Sequence, residues 1–373
     1  MIIIYSFNKR GFEADYWARE IAGASDERYT FVPFNHDPYL GYSRYSRAQL
    51  LDNLYFERNP DLMLMYADLV SLIRQRGADA MIADNFFPYH PEFLRTLNVF
   101  KVLRTSDGPL AAYDRDFAYV HAYDMVLYHT PAYSPDIDMK AKLQYIGARD
   151  ARLWMLGLFD QMFDHRKDAS TILAHDRDID VIFVGGMFVN KMPLLAKVKK
   201  KFGRRFQLHG LTSWKRNLYF NAKHGFPAWV RPISFQQYVP LYQRAKIGIN
   251  VHNRGDYTVG GYRLFELPAN GVMQISDGGE YLESFYKEGE EVVGHSGAAD
   301  DLIDKISYYL EHAEERNRIA LAGYHRVMRD HRMRKRLLEG AEMIEDGMRQ
   351  KAQRGQAAAF NGGAFRQDDR DKV

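Results

Sequence analysis

Arg263 and Glu266 stand three residues apart just behind the pair Gly260-Gly261. On a helix that spacing puts a guanidinium and a carboxylate on one face, one turn apart. Backbone N–H groups of a glycine pair ahead of a helix suit a phosphate, and a guanidinium suits a diphosphate. A carboxylate suits the hydroxyls of a ribose, so the group as a whole makes half of a nucleotide-sugar site. The elements that must carry it are legible around it. Ile247, Ile249 and Val251 alternate as a strand, Leu264 to Leu267 form a short helix, and Val272 to Ile275 form the next strand. In open α/β sheets, ligands bind beyond the carboxyl ends of the strands, which is where this loop falls. Pro268 cannot donate to the Leu264 carbonyl and is expected to shorten or kink the helix.

Other candidates sit at similar places. His209 and His252 each end a strand, where an imidazole either donates to a diphosphate or base, or is satisfied by backbone. Asn250 faces the same edge, and its amide suits a sugar hydroxyl. Gly185-Gly186 follows the apolar run from Asp180 to Val184, as a turn beneath a ligand or simply a tight turn. In the first half of the chain, Arg10-Gly11 follows the opening strand and is placed to contact a diphosphate or an acceptor. Asp84, Asp107 and His129 also follow strands. An acceptor hydroxyl must lose a proton to such a group, and Asp107, in Ser106-Asp107-Gly108-Pro109, is the preferred base, although an aspartate before Gly-Pro is also a turn former. No metal site is expected. Asp-Arg-Asp occurs at 114–116 and at 176–178 without the strand context of a metal-binding DXD, and the histidines lack metalloprotease spacing.

Apolar strands alternate with helices from Ile2 to Phe7 onward: a helix at 12–24, another at 62–75, and strands at 79–84, 99–104 and 125–129. The alternation predicts an α/β protein with parallel sheets covered on both faces. A chain of 373 residues exceeds what one core usually supports. Charge rises and periodicity fades between 160 and 178, so the reading is a Rossmann-like domain at 1–165 and a second at 175–345. Helices are expected at 194–201, 235–244, 302–310, 319–328 and 337–344, the last packing back on the first domain. Residues 351–373 carry little apolar surface and are expected to be a disordered tail. With 46% hydrophobic and 27% charged residues, disorder is excluded for the rest, and a net charge of +3 permits an anionic ligand without demanding one. Cysteine is absent, which excludes disulfides and thiolate chemistry and favours a reducing, cytoplasmic setting. No apolar run reaches the ~20 residues of a membrane span.

The order of motifs in the second half resembles the CgeB-like (spore-maturation) glycosyltransferases of the glycosyl-transferases group 1. The carriers are DVIFVGG (180–186), the strand end at Phe206 to Gly210 with Trp214, YVPLYQRAKIGINVH (238–252), GYRLFELPANG (261–271), EGEEVVGH (288–295) and ALAGYHRVMRDH (320–331). The resemblance implies a GT-B fold, two Rossmann-like domains with parallel sheets facing across a cleft, the donor held by the second and the acceptor by the first. It implies that Glu266 binds the ribose, with Arg263 the nearby basic residue, that Gly185-Gly186 lies beneath the donor, and that Lys191 is a basic residue of the site; Tyr262, next to Arg263, is a further donor-site candidate. Thr258 stands where the wider retaining group has a second glutamate, eight positions before Glu266, and this leaves retention against inversion open.

The expected activity is transfer of a sugar from a nucleoside-diphosphate donor, a UDP-sugar above all, to a hydroxyl of a glycan, small molecule or protein. Two stretches interleave basic and aromatic residues, 39–56 and 214–231. Such faces stack on sugars or on bases, so a DNA glycosyltransferase acting on a hydroxymethylated base is a second reading, and a non-catalytic nucleotide-sugar-binding or assembly protein a third. No cofactor is expected beyond the donor.

Overall fold

The computed structural model describes residues 1–40, 48–85, 87–105, 117–134, 137–155, 157–164, 168–173, 176–210, 213–225, 229–252, 261–277 and 282–364. The chain divides into two compact units, Met1–Met155 with Arg336–Val373, and Leu156–Lys335.

The first unit contains strands β1 (Ile2–Phe7), β2 (Thr30–Asn35), β3 (Ala80–Asp84), β4 (Phe100–Arg104), β5 (Met125–Tyr128), the short antiparallel pair β6 (Ala132–Ser134) and β7 (Ile137–Asp138), and β8 (Ala151–Leu153). Six of them form one parallel sheet in the order β2-β1-β3-β4-β5-β8. The β1 and β3 strands are almost wholly buried, as strands covered on both faces must be. Strand β2 contains Pro33, which has no N–H to give a second neighbour, and it lies at the sheet edge. Helix Pro60–Arg76 shows how local sequence sets element ends. The Asn59 side chain accepts from the Leu62 N–H at 3.1 Å, Pro60 starts the first turn, and Gly77 at φ 61° closes the last.

Strands β9 (Ile179–Val184), β10 (Phe206–His209), β11 (Ala245–Asn250), β12 (Met273–Ser276) and β13 (Val293–Gly294) build the second unit's sheet in the order β10-β9-β11-β12-β13, all parallel. Counted within each unit, both sheets therefore begin second, first, third, fourth, fifth. In this order the chain reverses direction across the sheet between the first and third strands, and ligands bind at the carboxyl ends there. In the second unit that point lies between β9 and β11. Arg177 ties the neighbouring elements together by donating to the carbonyls of Ala245 at 2.6 Å and Asn270 at 3.0 Å, and Asp178 pairs with Arg244. The Arg and second Asp of the Asp-Arg-Asp run at 176–178 thus hold structure.

The chain's last helix, Met333–Ala364, belongs with the first unit from Arg336 onward. Trp154 Nε1 donates to the Arg336 carbonyl at 2.6 Å, and Arg152 and Lys351 pair with Asp346 and Asp124 at 2.8 and 2.9 Å. The helix continues well past 351, where apolar content falls away, because the Gln-Ala-Ala-Ala run has high helix propensity. Residues 365–373 lie outside the described part.

Candidate functional site

A cavity of about 350 Å³ opens in the second unit at the carboxyl ends of β9 and β11. Of the residues expected at a donor site, Gly185, Gly186, Lys191, Asn250, His252, Gly261, Tyr262, Arg263 and Glu266 all line it. Gly260 lies outside the described residues. His209 ends β10 but is not among the lining residues; its Nε2 is 3.3 Å from Gln207 Oε1, and the neighbouring Gly210 takes the place at the wall.

The floor is set by two glycines. A Cβ on Gly185 would fall 1.6 Å from the Arg263 guanidinium, and one on Gly210 would fall 1.9 Å from the Gly185 carbonyl oxygen. At Gly210 only bare backbone fits, whereas a side chain at Gly185 would displace the Arg263 guanidinium. Gly210→Ala must push against main chain rather than a side chain, and we expect it to destabilise the unit by ~1–3 kcal/mol in urea unfolding. Gly261 differs, since a Cβ there would meet nothing.

Arg263 opens the short helix Arg263–Ala269, which is buried almost throughout. Its Nε donates to the Val184 carbonyl, Nη1 donates to Asn250 Oδ1 at 3.2 Å, and the guanidinium lies over the Phe183 ring with its carbon 4.6 Å from the centroid. These contacts fix the cation at the switch point. Asn250 in turn donates through Nδ2 to Ser276 Oγ at 3.1 Å, tying β11 to β12.

Glu266 is 8% exposed and accepts from the Tyr238 hydroxyl at 2.9 Å. Burial raises its carboxyl above the usual range, opposed by the Tyr238 bond and by Arg263. Tyr242, one turn from Tyr238 and wholly buried, faces both Glu266 and Arg263. Neither tyrosine was singled out from sequence. The signal was their i, i+4 spacing on a helix leading straight into β11.

Lys191 precedes the helix Met192–Phe202 and is 4% exposed. Its ammonium sits 5.9 Å from the Phe183 centroid and 5.7 Å from that of Phe188, and among the described residues it has no hydrogen-bond or ion-pair partner. Burial first, then repulsion from Arg263, lowers its pKa to about 7, with Asp277 pulling the other way. His252 Nδ1 donates to Asp277 Oδ1, and the Asp277 carboxylate also accepts the His252 backbone N–H at 3.1 Å. Burial alone would raise the Asp277 carboxyl; these bonds bring it below the usual range. His252 Nε2 is buried and has no partner among the described residues. The wall therefore presents the fixed Arg263 guanidinium, the Lys191 amine and one imidazole nitrogen, together with a carboxylate held by a tyrosine. It fits a ligand that carries both clustered negative charge and hydroxyls.

The residues proposed from the first half fall in the first unit. Asp84 ends β3 and is buried against Arg104, Oδ2 to Nη1 2.8 Å, the two standing opposite one another in the β3–β4 register. The pair also holds the Tyr5 hydroxyl, so Asp84 serves an internal ion pair. Arg10 is exposed and forks Asp37, with Nε 2.9 Å from both oxygens, and Gly11 at φ 54° starts the following helix. His129 is buried, with Nδ1 2.9 Å from the Thr105 carbonyl oxygen. Asp107 lies outside the described residues.

Residues 191–342 match the family described as glycosyl transferase-like. That span begins at Lys191 and takes in Arg263 and Glu266. Among solved structures the chain is similar to sucrose-phosphate synthase from Thermosynechococcus elongatus, at 14% identity and a TM-score of 0.61 over 92% of this chain and 98% of that one. It is similar to a glycosyltransferase from Rickettsia africae, at 12% identity and a TM-score of 0.58 over 93% and 98%. It is also similar to HepE from Anabaena, whose structure is a complex with UDP-glucose, at 12% identity and a TM-score of 0.58 over 93% and 100%. At these identities the likeness shows the fold, the α/β arrangement of two parallel sheets found in GT-B glycosyltransferases. No curated protein sequence matches the chain.

Proposed function

We propose that this protein transfers a sugar from a nucleoside-diphosphate donor, a UDP-sugar, to a hydroxyl acceptor. The observation that carries the reading is the meeting of a buried Lys191, unpartnered among the described residues, and a fixed Arg263 with the Tyr238-held carboxylate of Glu266 in one cavity at the switch point. Glu266 accepts the ribose hydroxyls. Lys191 and Arg263 face the diphosphate, with His252 Nε2, unpartnered among the described residues, available to the same group. In transfer the bond from the sugar C1 to the β-phosphate oxygen breaks, and its electron pair leaves with the diphosphate. The acceptor oxygen bonds to C1, and its proton passes to a base, the role for which the sequence offers Asp107 and His129. Charge building on the leaving oxygen is what Lys191 and Arg263 are placed to stabilise, so in this reading no metal is required and chelation leaves the rate unchanged.

The similarity to a UDP-glucose-bound protein supports the choice of donor class. A thermal-shift panel of nucleotide sugars tests it, because a ligand at a hundredfold excess over its Kd stabilises by about 2.7 kcal/mol. We expect a UDP-sugar to raise the melting temperature by several degrees. A panel in which no nucleotide sugar moves it would remove the proposal.

A further inference from the structure

We propose that the second unit docks on an anionic lipid surface through the helix Trp214–His224 and the adjoining segment at Trp229 to Arg231. From Val181 to Gly255 the chain has fourteen Lys and Arg and not one Asp or Glu, although the whole protein carries a net charge of only +3. Some of these cations are spent internally, Arg205 and Lys246 on Asp180 and Arg244 on Asp178. Lys215, Arg216, Lys223 and Arg231 are exposed and, among the described residues, in no ion pair. Lys197, Lys200 and Lys201 extend the same charge along the neighbouring helix Met192–Phe202.

The apolar part is equally concentrated. The protein has four tryptophans; Trp17 and Trp154 are 5% and 2% exposed, whereas Trp214 and Trp229 are 60% and 50% exposed. The two exposed ones belong to this surface. Asn217, buried beneath the helix, clips the segment to it by donating to the Val230 carbonyl at 3.1 Å and accepting the Val230 N–H at 3.0 Å. On the outer side the i, i+4 spacing makes two adjacent rows. Trp214, Leu218 and Ala222 form an apolar row, and Lys215, Tyr219 and Lys223 a basic one beside it, while Asn217 and Phe220 face inward. This is the pattern of a helix lying in a membrane interface, with Trp and Leu reaching the acyl boundary and Lys at the headgroups. A nucleic-acid platform would also use the aromatics and cations. Leu218 and Ala222, exposed beside Trp214 in the same row, give phosphates nothing to bind and no stacking face to bases, and they favour lipid. The surface lies at β10, the edge of the sheet, and the assignment is independent of what the cavity binds.

Sedimentation of the full chain with vesicles tests this. We expect binding to mixed phosphatidylcholine and phosphatidylglycerol vesicles, weak binding to phosphatidylcholine alone, and loss of binding as salt rises. Tryptophan emission should shift to the blue on binding and be quenched by brominated acyl chains, since only Trp214 and Trp229 are accessible. Lys215→Glu with Lys223→Glu should cut partitioning about tenfold or more, whereas Lys287→Glu with Lys335→Glu, elsewhere on the same unit, should not. Trp214→Ser with Leu218→Ser should reduce both partitioning and the emission shift. All these positions are exposed, and unchanged melting temperatures show that the variants fold. Should a variant unfold, quenching of the wild-type protein by brominated lipid decides alone. Failure to bind anionic vesicles, equal loss in both charge-reversed pairs, or binding to duplex DNA in preference to vesicles would overturn the proposal.

Discussion

Replacing Lys191 by methionine lowers the rate of sugar transfer by about 10²–10³-fold while the protein stays folded. Methionine keeps the contacts with Phe183 and Phe188 and removes only the charge. Because burial lowers the lysine pKa from its ordinary 10.5 to about 7, the folded state resists the proton that the unfolded chain accepts. Between those two values the unfolded chain therefore binds more protons, so this group makes stability rise with pH across that window. At pH 7 and below its penalty is present in full, and the methionine variant should melt no lower than wild type there. A diphosphate beside Lys191 restores the charge. Donor binding at pH 8 should accordingly take up close to one proton, and at pH 6 close to none, read by calorimetry in buffers of different ionisation enthalpy. The methionine variant should show no uptake at either pH. Uptake that persists without Lys191 would assign the linkage to another group and remove the lysine from the site.

Glu266→Gln should weaken binding of UDP about tenfold to a hundredfold, the span expected for losing a charged acceptor of hydrogen bonds. The isosteric amide can still accept from Tyr238, so the helix Arg263–Ala269 keeps its place. Burial raises the Glu266 pKa, and the stability tied to its neutral form is present below the ordinary glutamate value and is lost as pH rises through the folded one. The glutamine variant escapes that loss and should be at least as stable as wild type near neutral pH. A ribose-lacking diphosphate such as pyrophosphate separates the roles. Its affinity should be the same for both proteins if Glu266 reads hydroxyls, and should change if Glu266 acts mainly by holding Arg263. Full UDP affinity in the glutamine variant would show that the carboxylate does not touch the ligand.

That these residues line one cavity was foreshadowed in the sequence because they sit at strand ends, and strand ends are set by local pattern. Gly185-Gly186 closes one apolar run, Asn250 and His252 close another, and Arg263 and Glu266 open the helix that follows. Each of these is fixed within a few residues by alternation, glycine and helix spacing. Asp277, which orients His252, lies at the end of a recognised strand, yet nothing local says which neighbour it faces.

The first unit shows the limit. Asp84 satisfies every local criterion for a site residue, but β4 brings Arg104 opposite it and the two neutralise one another in the core. His129 ends its strand with Nδ1 2.9 Å from the Thr105 carbonyl oxygen, a partner from the end of the neighbouring strand that no local pattern announces. Strand β2 and the helical form of 214–224 escaped notice, the first because Pro33 breaks the strand signal and the second because most of its apolar residues, Phe220 apart, are on the outside.

Sequence by itself determined the α/β class, the parallel strands, their carboxyl-end loops and the cations and carboxylate those loops carry, because alternation and turn chemistry act over a few residues. Tertiary structure alone decided which loops meet. Strand order is a matter of pairing between segments tens of residues apart, and only that order puts β9 beside β11, sets Gly210 against Gly185, and leaves Lys191 buried without a partner among the described residues.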